Sequence, residues 1–181
     1  MGSKQFWDSQ DMEPKRDYKF VLHLNSVASW IVKSVKRPSY TVKETPHKYL
    51  HHTFYYPAGV EWDPVEITLV DPISHNAAEL MMDIVNQSGY TWAVTNPAGQ
   101  SSESAATISK SASARALGIP EIVQVNSQGD PVDIWTLQNA WISSVDFSEL
   151  SYDSDSLSEL RLTLRYDYAT FESKTVVNIL P

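Results

Sequence analysis

The chain has 181 residues, enough for one domain or at most two small ones, and by surface scaling it hides about 70% of the area its unfolded form exposes. With 42% hydrophobic and 20% charged residues, and six Trp, nine Tyr and five Phe, it has the composition of a folding chain rather than a disordered one. The absence of cysteine excludes disulfides, thiolate metal sites and cysteine nucleophiles, and a formal charge of −8 with one short basic cluster (Lys33, Lys36, Arg37) speaks against tight nucleic-acid binding.

No apolar run nears the roughly 18 residues a membrane helix needs, and the first residues lack the apolar stretch of a signal peptide, so the expectation is a soluble chain without a membrane anchor. Residues 1–17 are polar and charged and read as an arm; residues 18–181 read as one domain. Tyr18, Phe20, Leu22 and Leu24 alternate with Lys19, Val21 and His23, the pattern of a half-buried strand. Ser29 to Lys36 reads as a second strand with Trp30, Val32 and Val35 inward, ended by Pro38. Residues 38–62 are long, aromatic and rich in β-formers yet contain three prolines, which points to an extended hairpin or arm that finds its burial elsewhere. Val65, Ile67 and Leu69 mark a strand that stops at Asp71-Pro72.

Asn76 and Glu79 fit a capping box, Ala77, Leu80, Met81, Ile84 and Val85 form one apolar stripe, and Gly89 suits a helix stop. The Ser/Ala-rich insert 99–118 reads as a weak helix from about Glu103 to Leu117 or as a flexible insert, the helix being the better reading. Ile119–Val125 and Val132–Asn139 form a hairpin about Ser127-Gln128-Gly129-Asp130-Pro131, and Trp141, Ser143, Val145 and Phe147 continue with period two. A last long strand places Leu160, Leu162, Leu164, Tyr166 and Tyr168 on one face and Glu159, Arg161, Thr163, Arg165 and Asp167 on the other. Six to eight strands, one firm helix and no βαβ alternation predict a mainly β fold: an antiparallel β-sandwich or barrel with one flanking α-helix and a long projecting loop.

No chemistry-bearing motif emerges. The six glycines form no phosphate-cradling loop, and nucleophile-elbow and zinc-protease patterns are absent. His47, His51 and His52 have spacing that could share a metal on a helix, but Pro46 and the run Thr53-Phe54-Tyr55-Tyr56 favour extended backbone, so a contact surface is the better reading. Asp153 and Asp155 lack the glycine and glutamate of a calcium loop and read as a polar turn. Glu61, Asp63 and Glu66 around Trp62 read as a strand entry rather than glycosidase carboxylates, and Asn86-Gln87-Ser88 at a helix end is a chance acceptor pattern. No catalytic residue, metal or cofactor is therefore assigned.

Two stretches together carry a resemblance. One runs from Trp62 through Asp63-Pro64-Val65-Glu66-Ile67-Thr68-Leu69-Val70 to Asp71, followed by the helix after Ser74. The other runs from Asn139-Ala140-Trp141-Ile142, through Val145-Asp146-Phe147-Ser148-Glu149-Leu150-Ser151-Tyr152-Asp153, to Leu160–Tyr168. In these stretches and in the order of its elements over about residues 18–171, the chain resembles the tail tube proteins of contractile-tailed bacteriophages, related to the inner tube proteins of type VI secretion.

The resemblance implies a structural subunit of a virion, assembled in the host cytoplasm. Its copies form six-membered rings that stack into a hollow tube inside a contractile sheath. It further implies as partners the tail sheath, baseplate, tail-terminator and tape measure proteins, with double-stranded DNA passing through the lumen without tight binding. The loop 38–62 would reach the neighbouring ring, with Thr45, Pro46, His47, Tyr49, Leu50, His51, Phe54, Tyr55 and Tyr56 as the inter-ring contact. Glu66, Glu159 and Asp167, on polar strand faces, would line the lumen and repel phosphate. The competing reading is a β-sandwich module that binds carbohydrate or protein through Tyr40, Tyr49, Phe54, Tyr55 and Tyr56.

Overall fold

In the computed structural model the described residues are 14–25, 27–90, 107–153 and 155–174. Among them are strands β1 (Phe20–His23), β2 (Val32–Val35), β3 (Tyr40–Tyr49), β4 (His52–Trp62), β5 (Val65–Val70), β6 (Glu121–Val125), β7 (Pro131–Gln138), β8 (Trp141–Asp146), β9 (Glu159–Arg165) and β10 (Tyr168–Ser173), and helices α1 (Ala77–Gln87) and α2 (Lys110–Leu117). Two four-stranded sheets, β1-β6-β7-β10 and β2-β5-β9-β8, and the separate ribbon β3-β4 account for all the strands, every pairing antiparallel. Among the described residues no strand pair joins one sheet to the other, the arrangement of a sandwich.

The core lies between the sheets and under the helices. Leu22, Ile122 and Leu137 come from one sheet, Val65, Ile67, Leu69, Leu160, Leu162 and Leu164 from the other, Ala77, Met81 and Ile84 from α1, and Leu117 from α2. Period two along β5 and β9 produces this, since every second residue of a central strand points into the sandwich. The Asn76 side chain caps α1 by accepting the Glu79 N–H at 3.0 Å, and Asp71 Oδ1 accepts the Ala77 N–H at 2.9 Å. Gly89 has φ +105, and a Cβ there would lie 2.7 Å from the Thr107 carbonyl oxygen, so the chain leaving α1 passes too close for any larger residue.

Several expectations are corrected. Ser29–Ile31 is a 3₁₀ turn, so its three-residue pitch buries Ile31 and turns Trp30 outward at 64% exposure, its ring edge against His75. Tyr18 is exposed ahead of β1. A register shift between Ile142 and Ser144 breaks the period of β8, so Ile142 as well as Val145 packs on the core, and Phe147, beyond the end of the strand at Asp146, is exposed.

The closing strand is two: β9 ends at Arg165, the chain turns at Tyr166-Asp167, and β10 joins β7 in the opposite sheet, which leaves Tyr168 half-exposed. A second helix is present, α2, shorter than expected, capped by the Ser109 hydroxyl and packed on α1 and β8; residues 91–106 of the expected insert lie outside the described residues. The end of the arm is tied down, because Lys15 pairs with the buried Asp133 and Arg16 C=O accepts from Gln124 at 3.4 Å.

Candidate functional site

β3 and β4 form the feature that distinguishes this sandwich. Lys36 N–H donates to Glu66 C=O at 2.8 Å and Asp63 N–H to Ser39 C=O at 2.9 Å, so the ribbon prolongs the β2–β5 ladder beyond the end of the sheet. At about 3.4 Å per residue, the ten residues of β3 extend roughly 34 Å. Every residue from Tyr40 to Glu61 is exposed.

Pro46 and Pro57 stand opposite Tyr55 and Glu44, which a two-stranded ribbon tolerates because each strand has an edge that needs no ladder donor. A register shift between Val42 and Glu44 marks a bulge. At the root, Tyr40 stacks edge-on to Trp62 at 5.2 Å, Trp62 lies 5.9 Å from Tyr166, and the Ser39 hydroxyl donates to Asp63 at 2.9 Å. These contacts and the Lys43–Glu61 pair at 2.6 Å fix the base; Lys43, by hydrogen bond and charge, holds the Glu61 carboxyl below the usual range.

Cross-strand partners share a face, so His47 and Phe54, Thr45 and Tyr56, and Tyr49 and His52 lie on one side, and Pro46 and Tyr55 on the other. Exposed aromatics therefore project from both sides, Tyr55 from the side that also carries Lys48 and Thr53. The tip is the two-residue turn Leu50-His51, where Leu50 has φ 54 and is 81% exposed. A left-handed non-glycine residue costs roughly 1–2 kcal/mol, and a large apolar side chain at that place gains nothing within the protomer. The expected contact residues Thr45, Pro46, His47, Tyr49, Leu50, His51, Phe54, Tyr55 and Tyr56 are thus brought together. Tyr40, Val42 and Val60 extend the exposed surface, and their alternation was the signal available for them.

The three expected acidic residues are not one group. Glu66 and Glu159 lie on the outer face of the β2-β5-β9-β8 sheet, Glu66 beside Thr163 and Glu159 paired with Lys33. Arg161 and Arg165 share that face, which is mixed in charge rather than purely acidic. Asp167 is in the turn after β9, where Lys110 at 2.5 Å and Asn139 at 2.9 Å hold its carboxyl below the usual range, the Lys110 bond counting most. His47 and His52 belong to different cross-strand pairs and His51 to the turn; among the described residues no group of three His, Asp or Glu is placed to hold a metal ion. No helix among the described residues is long and apolar enough to cross a membrane.

No family model matches the chain, and no curated protein does. Solved structures do. A chain of the 6-fold symmetrised baseplate of the anti-feeding prophage superposes with a TM-score of 0.63 at 14% identity, covering 91% of this chain and 99% of that one. A chain of the anti-feeding prophage tube terminating cap gives 0.64 at 16% identity over 89% and 92%. A chain of the sheath-tube complex of PVC, an extracellular contractile injection system, gives 0.61 at 15% over 94% and 99%. This chain has the fold of contractile-injection-system subunits. Coverage is near-complete on both sides, so the likeness runs over most of each chain and is not confined to a shared fragment.

Proposed function

We propose that this chain is the structural subunit of a tail tube: copies close into six-membered rings, the rings stack into a hollow tube within a contractile sheath, and the tube conducts a genome into a host. The observation that carries the reading is the ribbon. A lone two-stranded hairpin is marginal in water, and this one exposes aromatics on both faces, so it gains its stability from a neighbour. One aromatic burying about 150–250 Å² gains roughly 4–6 kcal/mol at 25 cal/mol per Å² before ordering costs. Six such joints between two rings act together, since each after the first is intramolecular, and a protomer can stay unassembled while the stack is firm.

Ring closure uses the edge strands among the described residues, β2 and β8 of one sheet and β1 and β10 of the other, because a heterologous contact between opposite edges closes when its rotation does. The likeness to chains from a 6-fold symmetrised baseplate, a tube terminating cap and a sheath-tube complex supports the same partners here: sheath, baseplate and terminator proteins, with a tape measure protein and double-stranded DNA inside the lumen. The particle is a virion tail assembled in a host cytoplasm, and the chain is not an enzyme. Residues 18–181 act as the single tube domain, and the outer face bearing Glu66 and Glu159 faces the channel. Its Lys33, Arg161 and Arg165 temper a ring that carries six times the chain's −8.

Negative-stain microscopy of the purified protein tests the proposal. Rings and rods with a central channel are expected; a protein that stays monomeric at high concentration would instead favour the binding-module reading.

A further inference from the structure

What receives the tip of the ribbon is suggested by the opposite end of the same sheet. β2 runs toward the ribbon and β5 returns from it, so β9, antiparallel to β5, begins at the far end, and β8 finishes there. The β8–β9 connection therefore sits at the end of the sandwich away from the ribbon. Between Arg115 and Arg161 the chain has no Lys or Arg, and this connection carries Glu149, Asp153 and Asp155, flanked by Asp146 and Glu159. It also exposes Leu150 (84%), Tyr152 (108%) and Leu157 (72%) around a hollow of about 450 Å³. Its ends are held: Asp146 accepts the Ser148 N–H at 3.0 Å, and Asp71 N–H donates to Ser158 C=O at 2.9 Å.

The tip is its complement. Residues 45–60 contain no Asp or Glu, and Lys48, His47, His51 and His52 surround the exposed Leu50. Building on the tube reading, we propose that Lys48–His52 of one copy seats on the β8–β9 connection of a second copy displaced along the strand direction, with Leu50 in the hollow beside Leu150 and Leu157. The two patches lie at opposite ends of one chain and differ in charge. The contact is therefore heterologous, and because each copy is displaced along the strand direction it repeats without closing, which is the geometry of an open stack. It also accounts for an apolar residue in a left-handed turn, where glycine would be less strained.

The absence of native cysteine makes cross-linking free of background. The double variant Leu50→Cys/Leu150→Cys, assembled and mildly oxidised, should give a ladder of covalent multimers beyond the dimer, with the 50–150 link found by mass spectrometry; each single variant should stop at dimers. A second pair, Leu50→Cys/Tyr152→Cys, guards against a poorly aligned first. Asp153→Lys/Asp155→Lys should raise the protein concentration needed for rods at least tenfold while leaving the melting temperature unchanged. Rods that form normally with neither pair cross-linking, or cross-links from position 150 to a different protein, would overturn the proposal and leave the tube reading standing. If the unmodified protein forms no rods, the tube reading falls, and this proposal with it.

Discussion

Replacing Leu162 by Ala tests the register on which the sandwich depends. Leu162 is fully buried, paired with Ile67 on β5 and Val145 on β8, so its backbone is pinned on both sides and cannot collapse into the space the lost methyls leave. Burying a leucine is worth about 1.5–3 kcal/mol by transfer, and a retained cavity adds more, so the expected cost is about 3–5 kcal/mol. For a chain of this size each kcal/mol lowers the melting temperature by about 2–4 °C, giving a fall of roughly 6–20 °C. The neighbouring Thr163→Ala, on the outer face between Glu66 and Ser144, should cost under about 1 kcal/mol. Equilibrium urea melts of the unassembled protein should shift the midpoint of Leu162→Ala strongly without changing the slope. Equal costs at the two positions, or a larger one at Thr163, would refute the assigned inward face of β9.

Leu50→Gly should keep or slightly raise protomer stability in the same melts, because it relieves the left-handed strain, yet lower the yield of rods; unchanged rods would show that the tip side chain touches nothing. Tyr166 has a buried hydroxyl with no partner among the described residues and a pKa pushed up to about 12, by burial first and the Asp63 charge second. Tyr166→Phe should therefore cost nothing or stabilise. Since the unfolded chain ionises its tyrosines near pH 10, the native protein should lose stability as pH rises from about 10 toward 12, and the Phe variant should lose less; identical profiles would contradict this. Replacing Glu66 and Glu159 by Lys should leave rods that retain DNA at low salt, read by filter binding; rods that ignore DNA would mean that this face does not line the channel.

What the sequence made legible follows from where each cause lies. The alternation of Leu160, Leu162 and Leu164 is visible because β9 is central and buries one face only, and the Asn76 cap because capping is local. The aromatic run 45–56 stands out because no half of it is polar. By contrast, the turn at Tyr166-Asp167 has no glycine or proline, and Asp167 finds its partners in Lys110 and Asn139, distant in sequence, so the alternation reads straight through it. The outward Trp30 depends on a 3₁₀ turn, the inward Ile142 on a bulge and the outward Phe147 on the end of β8 at Asp146, none of which periodicity can see. Asp153 and Asp155 read as no more than a polar turn because the apolar residues around them are scattered among Ser and Asp, the composition of an ordinary loop.

The most direct measurement concerns the ribbon itself. Replacing residues 45–56 with a short Gly/Ser connection removes the exposed aromatics and leaves the Tyr40–Trp62–Tyr166 root and both sheets intact. Electron microscopy and sedimentation of this variant should show a cooperatively folded protein, free or in single rings, and no long tubes. Normal rods from the shortened chain would contradict the claim that the ribbon joins one ring to the next.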